Sequence, residues 1–379
     1  MTPASPGRVG VRSVVLPAAA LLAALAALAL PVGEGGAGPG FADVRLLSAA
    51  LALAAAAWTT WKLAPAATIL VGLVASTNAA AVVIGAVAAV GTAVGPAHWA
   101  LLVGGWLTAW AATAALAAAR PADPAAARIA GLAVPVLFGA WILVLWEALV
   151  RGLGVPAVLL PPPSAIGARL VSEIPTLAAD FRQTFLKSVL IGWAAGCGLG
   201  FAVALVVDRV PFLRRGLLPV GNLVSALPVV GVAPIMVMWF GFDWPSKAAV
   251  VVIMTFFPML VNTVEGLAAA GAMERDLMRT YAADHRQELL KLRLPAAMPF
   301  VFNALKINST LALIGAIVAE FFGTPIVGMG FRISTGVGRM AIDMVWAEIA
   351  VAALAGSLFY GAIGMVERRV TFWHPSFRR

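Results

Sequence analysis

The sequence predicts an all-α polytopic membrane protein with about ten transmembrane helices. Three observations carry that expectation. Hydrophobic residues make up 62% of the 379 positions and charged residues 11%, where soluble domains carry about 25% charged residues. The mean hydropathy is +0.97. The apolar residues also fall in runs near the length, about 20 residues, that a helix rising ~1.5 Å per residue needs to cross a core ~30 Å thick. A membrane β-barrel would instead show weaker segments of about 10 residues with alternating polarity.

In chain order the runs are Val14–Val32, Leu46–Leu63, Ala66–Thr92, Trp99–Ala119, Ile129–Val150, Phe185–Val207, Leu217–Phe240, Ala248–Ala270, Phe300–Phe322 and Val345–Val366. The first follows Arg8 and Arg12. It is long for the apolar region of a signal peptide and no clean small-x-small site follows it, so it is read as an uncleaved first helix. The second is short and the third long. A composition change at Arg120-Pro121-Ala122-Asp123-Pro124 separates an alanine-rich block of four helices, polar inside only at Asn78, from six helices with more varied loops. The domain division is therefore placed as 1–128 and 129–379.

Placing the N-terminus in the cytoplasm puts Arg8, Arg12, Lys62, Arg120, Arg128, Arg209, Arg214, Arg215, the Arg275–Arg293 segment, Arg368, Arg369, Arg378 and Arg379 inside. Roughly two thirds of the Lys and Arg then lie on that side, as the positive-inside rule expects. Glu34, Asp43, Glu173, Asp180 and Asp243 fall on the other side, and both termini are expected in the cytoplasm. The net charge of +9 is explained by this bias, so no nucleic-acid partner is expected. Cys197 is the only cysteine and cannot form an intrachain disulfide. His98, His285 and His374 lie far apart and show no metal-ligand spacing. The chain has no G-x-x-x-x-G-K-[ST] phosphate loop, no H-E-x-x-H helix and no G-x-S-x-G turn. No catalytic residue, cofactor or metal is expected.

The segment Asp276–Lys291 reads as a charged helix leading through Leu294-Pro295 into an apolar run. Helical spacing places Leu277, Met278, Tyr281, His285 and Leu289 near one face. Asp276 at its start suits the helix dipole. Pro295 and Pro299 are expected to end this rod and set the angle of the next helix. On shape alone, such a rod either lies on the membrane surface or docks into a groove on a partner.

Polar groups inside spans are functional candidates by default: Asn222, Asn262, Glu265, Asn303, Lys306, Asn308, Glu320 and Glu348. Lys306 is expected to snorkel toward the cytoplasmic surface. Glu265 is read as pairing with a loop arginine, and Glu320 and Glu348 as solvated or paired near outer helix ends. Asn303, Asn308 and Glu320 are the pathway candidates, with helix–helix hydrogen bonding the competing role for the two amides. The asparagines stand roughly 140° apart on one helix, so they cannot both face one narrow pore. Gly192, Gly196 and Gly200 recur every four residues and predict a close helix contact, within the subunit or between subunits.

The stretch from Asp276 to Pro295 resembles the cytoplasmic coupling loop of permease subunits of ATP-binding-cassette (ABC) importers. That loop commonly reads E-A-A, then G four residues after the second A, then a charged helix ending in L-P. Leu294-Pro295 fits. Asp276 stands for the glutamate, Leu277 and Met278 for the alanines, and Ala282 for the glycine. Leu160-Pro161-Pro162-Pro163-Ser164, Ala226-Leu227-Pro228, Leu294–Pro299, Ala304-Leu305-Lys306-Ile307 and Ile314–Gly323 resemble the nitrate, sulfonate, taurine and pyrimidine-precursor branch. The resemblance covers about 129–375. It implies a type I ABC importer-like core of six helices preceded by four extra ones, in the bacterial inner membrane. It implies a separate ATPase, an extracytoplasmic substrate-binding protein and a homodimer as partners. Asp276, Leu277, Met278, Tyr281, Ala282, His285, Leu289 and Pro295 would make up the ATPase-coupling segment, at about 276–291, for uptake of a small oxyanion, sulfonate or vitamin or pyrimidine precursor. An ion-coupled secondary transporter and a non-transporting membrane scaffold are the competing readings.

Overall fold

In a computed structural model of the chain, residues 12–32, 43–62, 65–119, 121, 123–225, 228–323 and 326–373 are described. Arg8, Glu34, Arg120, Ala226, Leu227, His374, Arg378 and Arg379 lie outside them, as do the side chains of Arg12, Lys62 and Asn222. Every regular element among the described residues is helical. Among the described residues seven helices are long and apolar enough to cross a membrane, and three shorter apolar helices accompany them. The expected all-α polytopic architecture is therefore present.

The chain forms two compact units, Met1–Ala165 and Ile166–Arg379. In the first, α1 (Arg12–Ala29), α2 (Val44–Lys62), α3 (Pro65–Val90) and α4 (Pro96–Ala118) pack on one another, and α5 (Pro124–Gly152) packs on α3 and α4. Alanines such as Ala24, Ala27, Ala49, Ala50 and Ala79 interleave with Leu46, Leu53, Val83 and Leu101 to form its core. Small side chains suit a bundle in lipid, where close van der Waals packing rather than water exclusion holds helices together. Asp123 caps α5 by accepting the Ala126 amide at 3.0 Å. Near the end of α5, Glu147 accepts the Ser164 amide at 2.9 Å and its hydroxyl at 2.7 Å, and pairs with Arg151. The division between units falls in the first turn of α6 (Pro163–Ser172).

The second unit continues with α7 (Ile174–Phe181), which runs through a π-helical stretch, Arg182–Val189, into α8 (Leu190–Arg209). After α9 (Pro211–Ser225) and α10 (Val229–Phe240) comes α11 (Trp244–Ala268), which packs against both α8 and α14. The expected single run Leu217–Phe240 is thus two helices. Pro228 lacks the amide to continue a helix and stands in extended conformation before α10. The short α12 (Ala272–Thr280) and α13 (His285–Glu288) precede α14 (Leu294–Glu320), and α15 (Met329–Gly338) and α16 (Ile342–Val370) close the chain.

The glycine stripe of α8 faces α11 inside the same unit. A Cβ at Gly192 would stand 2.6 Å from the Val251 Cβ, and one at Gly200 would stand 2.5 Å from the Phe256 carbonyl. One at Gly196 would collide with the Thr255 hydroxyl. The two backbones therefore approach too closely for any larger residue.

Candidate functional site

The segment between α11 and α14 departs from the single rod that the pattern predicts. α12 stops at Tyr281, and Ala282 follows with φ +53°. The Ala283 amide donates to the Met278 carbonyl at 3.0 Å, and the Ala282 amide to the Arg279 carbonyl at 2.9 Å. These two bonds and the left-handed residue make a Schellman turn, the helix ending that ordinarily favours glycine. Asp284 then opens a new helix with a capping box. It accepts the Gln287 amide at 2.6 Å, and Gln287 Oε1 accepts the Asp284 amide at 3.2 Å. The predicted helix over 276–291 is therefore two helices joined by a turn.

Prolines 295 and 299 do not end the second helix. From His285 the chain runs through a π-helical stretch, Leu289–Arg293, directly into α14, so His285–Glu320 is one helix of 36 residues. A proline removes an amide and crowds the carbonyl one turn back. A wider turn is one way to relieve that crowding without breaking the helix.

On α12 the exposed apolar side chains are Met273, Leu277 and, at its end, Tyr281, at 84%, 56% and 79% exposure. Their four-residue spacing puts them on one stripe. Met278 and Leu289, expected in the ridge, are half-buried, and His285 is exposed. Met273 was not among the expected residues, although its spacing from Leu277 already marks it. The ion pair of Asp276 with Arg279, 3.4 Å, lies in the open and adds little.

Of the three pathway candidates, Asn303 alone is exposed. It shares a stripe of α14 with Phe300, Ile307, Thr310 and Ile314, all exposed. Asn308 is fully buried. Its Nδ2 donates to the Thr255 carbonyl on α11 at 2.8 Å and lies 3.2 Å from Cys197 Sγ on α8. Lys306 pairs with Glu367, in the last turn of α16, at 2.7 Å. Glu265 is exposed, and Asn262 donates to the Pro258 carbonyl of its own helix at 2.8 Å.

Glu320, only 2% exposed, sits in a polar net that the sequence did not reveal. Its carboxylate accepts the Thr184 hydroxyl at 2.8 Å and the Gly330 amide at 2.7 Å. The Thr184 oxygen in turn accepts the Met329 amide at 2.8 Å. The wholly buried Asp180 accepts the Gly328 amide at 2.6 Å and Arg332 Nε at 2.8 Å. The bond to Asp180 holds the Arg332 guanidinium even further above its ordinary range. Glu348, fully buried on α16, lies beside these groups. Lys247, buried at the start of α11, donates to the Phe242 carbonyl at 2.7 Å and to the Ser246 hydroxyl at 3.1 Å. At the surface nearby, the Trp244 amide and Gln183 hold the Asp243 carboxyl below its usual value. Among the described residues no cluster could hold a metal ion.

What this arrangement can do is mechanical. An exposed apolar knob on α12 is joined by a tight turn to an unbroken helix, His285–Glu320, whose far end is locked. Residues 196–372 match the model of the family described as the binding-protein-dependent transport system inner membrane component. The formylaminopyrimidine transport permease protein of Halalkalibacterium halodurans is 33% identical over 239 residues, which are 63% of this chain and 95% of the relative. The chain belongs to the permease family of ABC importers. The riboflavin transport system permease protein of Chloroflexus aurantiacus is 30% identical over 239 residues, 62% of this permease and 88% of the relative. The taurine transport system permease protein of Escherichia coli is 26% identical over 189 residues, 50% and 68% of the two chains. As a permease of this class, the protein is a multi-pass inner-membrane subunit that works with an ATPase and a substrate-binding protein.

Proposed function

We propose that this permease pairs with a second copy of itself and two ATPases to import a small solute delivered by an extracytoplasmic binding protein. The solute is an oxyanion, a sulfonate or a vitamin or pyrimidine precursor; the formylaminopyrimidine, riboflavin and taurine permeases among its relatives support that class. ATP hydrolysis belongs to the partner subunit. Both termini lie in the cytoplasm, in keeping with the basic residues of the 275–293 segment. Residues 129–379 make up the permease domain, and residues 1–128 are an addition to it.

The observation that carries this reading is the bare stripe Met273, Leu277 and Tyr281 on α12, one turn of chain before the helix that runs without a break into α14. An apolar knob in water fits a cleft on a soluble partner. Within the segment predicted to couple, Leu277 and Tyr281 make the contact with the ATPase. Asp276, Met278, Ala282, His285, Leu289 and Pro295 shape and carry it. Closure of two ATPases then moves two such knobs as rigid bodies and reopens the pathway on the other side. The exposed stripe of α14 around Asn303 lines that pathway, while Asn308 and Glu320 hold the helix from behind.

Replacing Tyr281 by Asp puts a charge into the proposed contact. In the assembled complex, Tyr281→Asp should abolish co-purification of the ATPase and ATP-driven uptake together. Normal assembly with normal uptake in that variant would refute the proposal.

A further inference from the structure

Arg293 occupies the last position of the π-helical stretch, directly before Leu294-Pro295. Its Nη2 meets Asp208 Oδ1 at 2.6 Å, in the last turn of α8. Its Nε donates to the Leu267 carbonyl at 3.1 Å, in the last turn of α11. Carbonyls in a final turn have no partner within their helix, so this bond satisfies a group that α11 leaves open. The ion pair is well covered, with the Arg293 and Asp208 side chains 11% and 4% exposed.

Leu267 and Arg293 are also the two ends of the projecting segment. One guanidinium therefore closes its neck and fastens that neck to α8. A second observation places the same helices in direct contact. A Cβ at Gly266 would stand 2.8 Å from the Phe300 Cβ and 3.1 Å from the Ala297 Cα, so α11 and α14 abut with no side chain between them.

We propose that Arg293 is a positioning residue for coupling: by binding Asp208 and the Leu267 carbonyl at once, it makes the projecting segment, α8, α11 and α14 move as one body. Without it the neck opens, and a push on α12 is absorbed as local bending instead of reaching the spanning helices. A planar fork with several donors suits this task, since it can hold two acceptors in fixed directions. Lysine carries only a point charge. The inference rests on the coupling reading given above.

The test uses the full chain assembled with its ATPase in vesicles, with ATP plus vanadate to trap the closed ATPases. A cysteine replacing the exposed Thr310 on α14 reports motion through its rate of labelling by a water-soluble maleimide. With the clamp intact, trapping should change that rate by about fivefold or more. The double variant Arg293→Gln with Asp208→Asn removes both charges together and leaves no buried charge alone. It should still bind the ATPase and hydrolyse ATP, while the labelling change disappears. A labelling change equal to that of the intact clamp would overturn the proposal. If the double variant does not assemble, Arg293→Lys decides: it keeps the charge pair but gives up the second bond. A reduced labelling change supports the clamp, and an undiminished one overturns it. Failure of the intact-clamp chain to bind the ATPase, or to respond to trapping, would instead sink the coupling reading itself.

Discussion

The two ends of α14 are held in opposite ways. At Glu320 a carboxylate, a hydroxyl and backbone amides from three stretches of chain interlock, with Asp180 and Arg332 extending the net. At Leu294 the polar ties to neighbouring helices come from a single guanidinium, and beyond it α12 presents an exposed apolar stripe. One end is anchored by many mutually dependent bonds, each costly to break in a dry environment. The other end has few bonds and an uncovered face. On the coupling reading proposed above, a rigid rod fixed at one end and gripped near the other would convert a push into a tilt.

The contrast can be broken most severely at the anchored end. Asp180→Ala leaves Arg332 and the Gly328 amide without their acceptor, and should cost about 3–5 kcal/mol, as removal of one partner from a buried pair does. Thermal unfolding in detergent would show it as a large drop in midpoint; a shift comparable to that of a surface substitution would mean that the net is not an anchor. Midway along the rod, Asn308→Ala removes one bond to the Thr255 carbonyl. Its expected cost is about 1 kcal/mol, the modest value of interhelical hydrogen bonds in membranes. A cost equal to that of Asp180→Ala would erase the distinction between clip and anchor. The smallest effect belongs beyond the other end of the rod, where Ala282 holds φ +53°. Ala282→Gly should relieve that strain and slow amide exchange at the end of α12, a gain of about 0.5–1 kcal/mol after the entropy of glycine is set against it. Faster exchange there would show that the turn is not strained.

Much of the scaffold was legible from hydropathy alone. Among the described residues, nine of the ten apolar stretches each reappear as one helix, because lipid demands internally bonded backbone wherever apolar runs cross it. The run Leu217–Phe240 was misread because hydropathy does not register that Pro228 interrupts the ladder of amides. The break in the coupling segment was signalled by Asp284 and Gln287, a capping pair three residues apart, but the amphipathic pattern running across it hid the signal. The resemblance pointed to the same spot from another side. The family's glycine corresponds to Ala282, and the left-handed backbone there gives a physical reason for the glycine.

The ion pairs were not legible. Arg293 and Asp208, or Arg332 and Asp180, are joined only by tertiary packing, and nothing local in the chain marks one as the partner of the other. The glycine stripe lay in between: its spacing announced a close contact, but only the packed helices revealed α11 as the neighbour.

If the segment couples as proposed, the Schellman turn at Ala282 and the capping box at Asp284 bear on how often the transporter can cycle. Both are made from the segment's own backbone and side chains, so the knob holds its shape while alone in water. Little conformational freedom remains to be lost when it is gripped. A preorganised contact of this kind can be small, bind quickly and let go quickly, as the proposed joint would have to at every turnover.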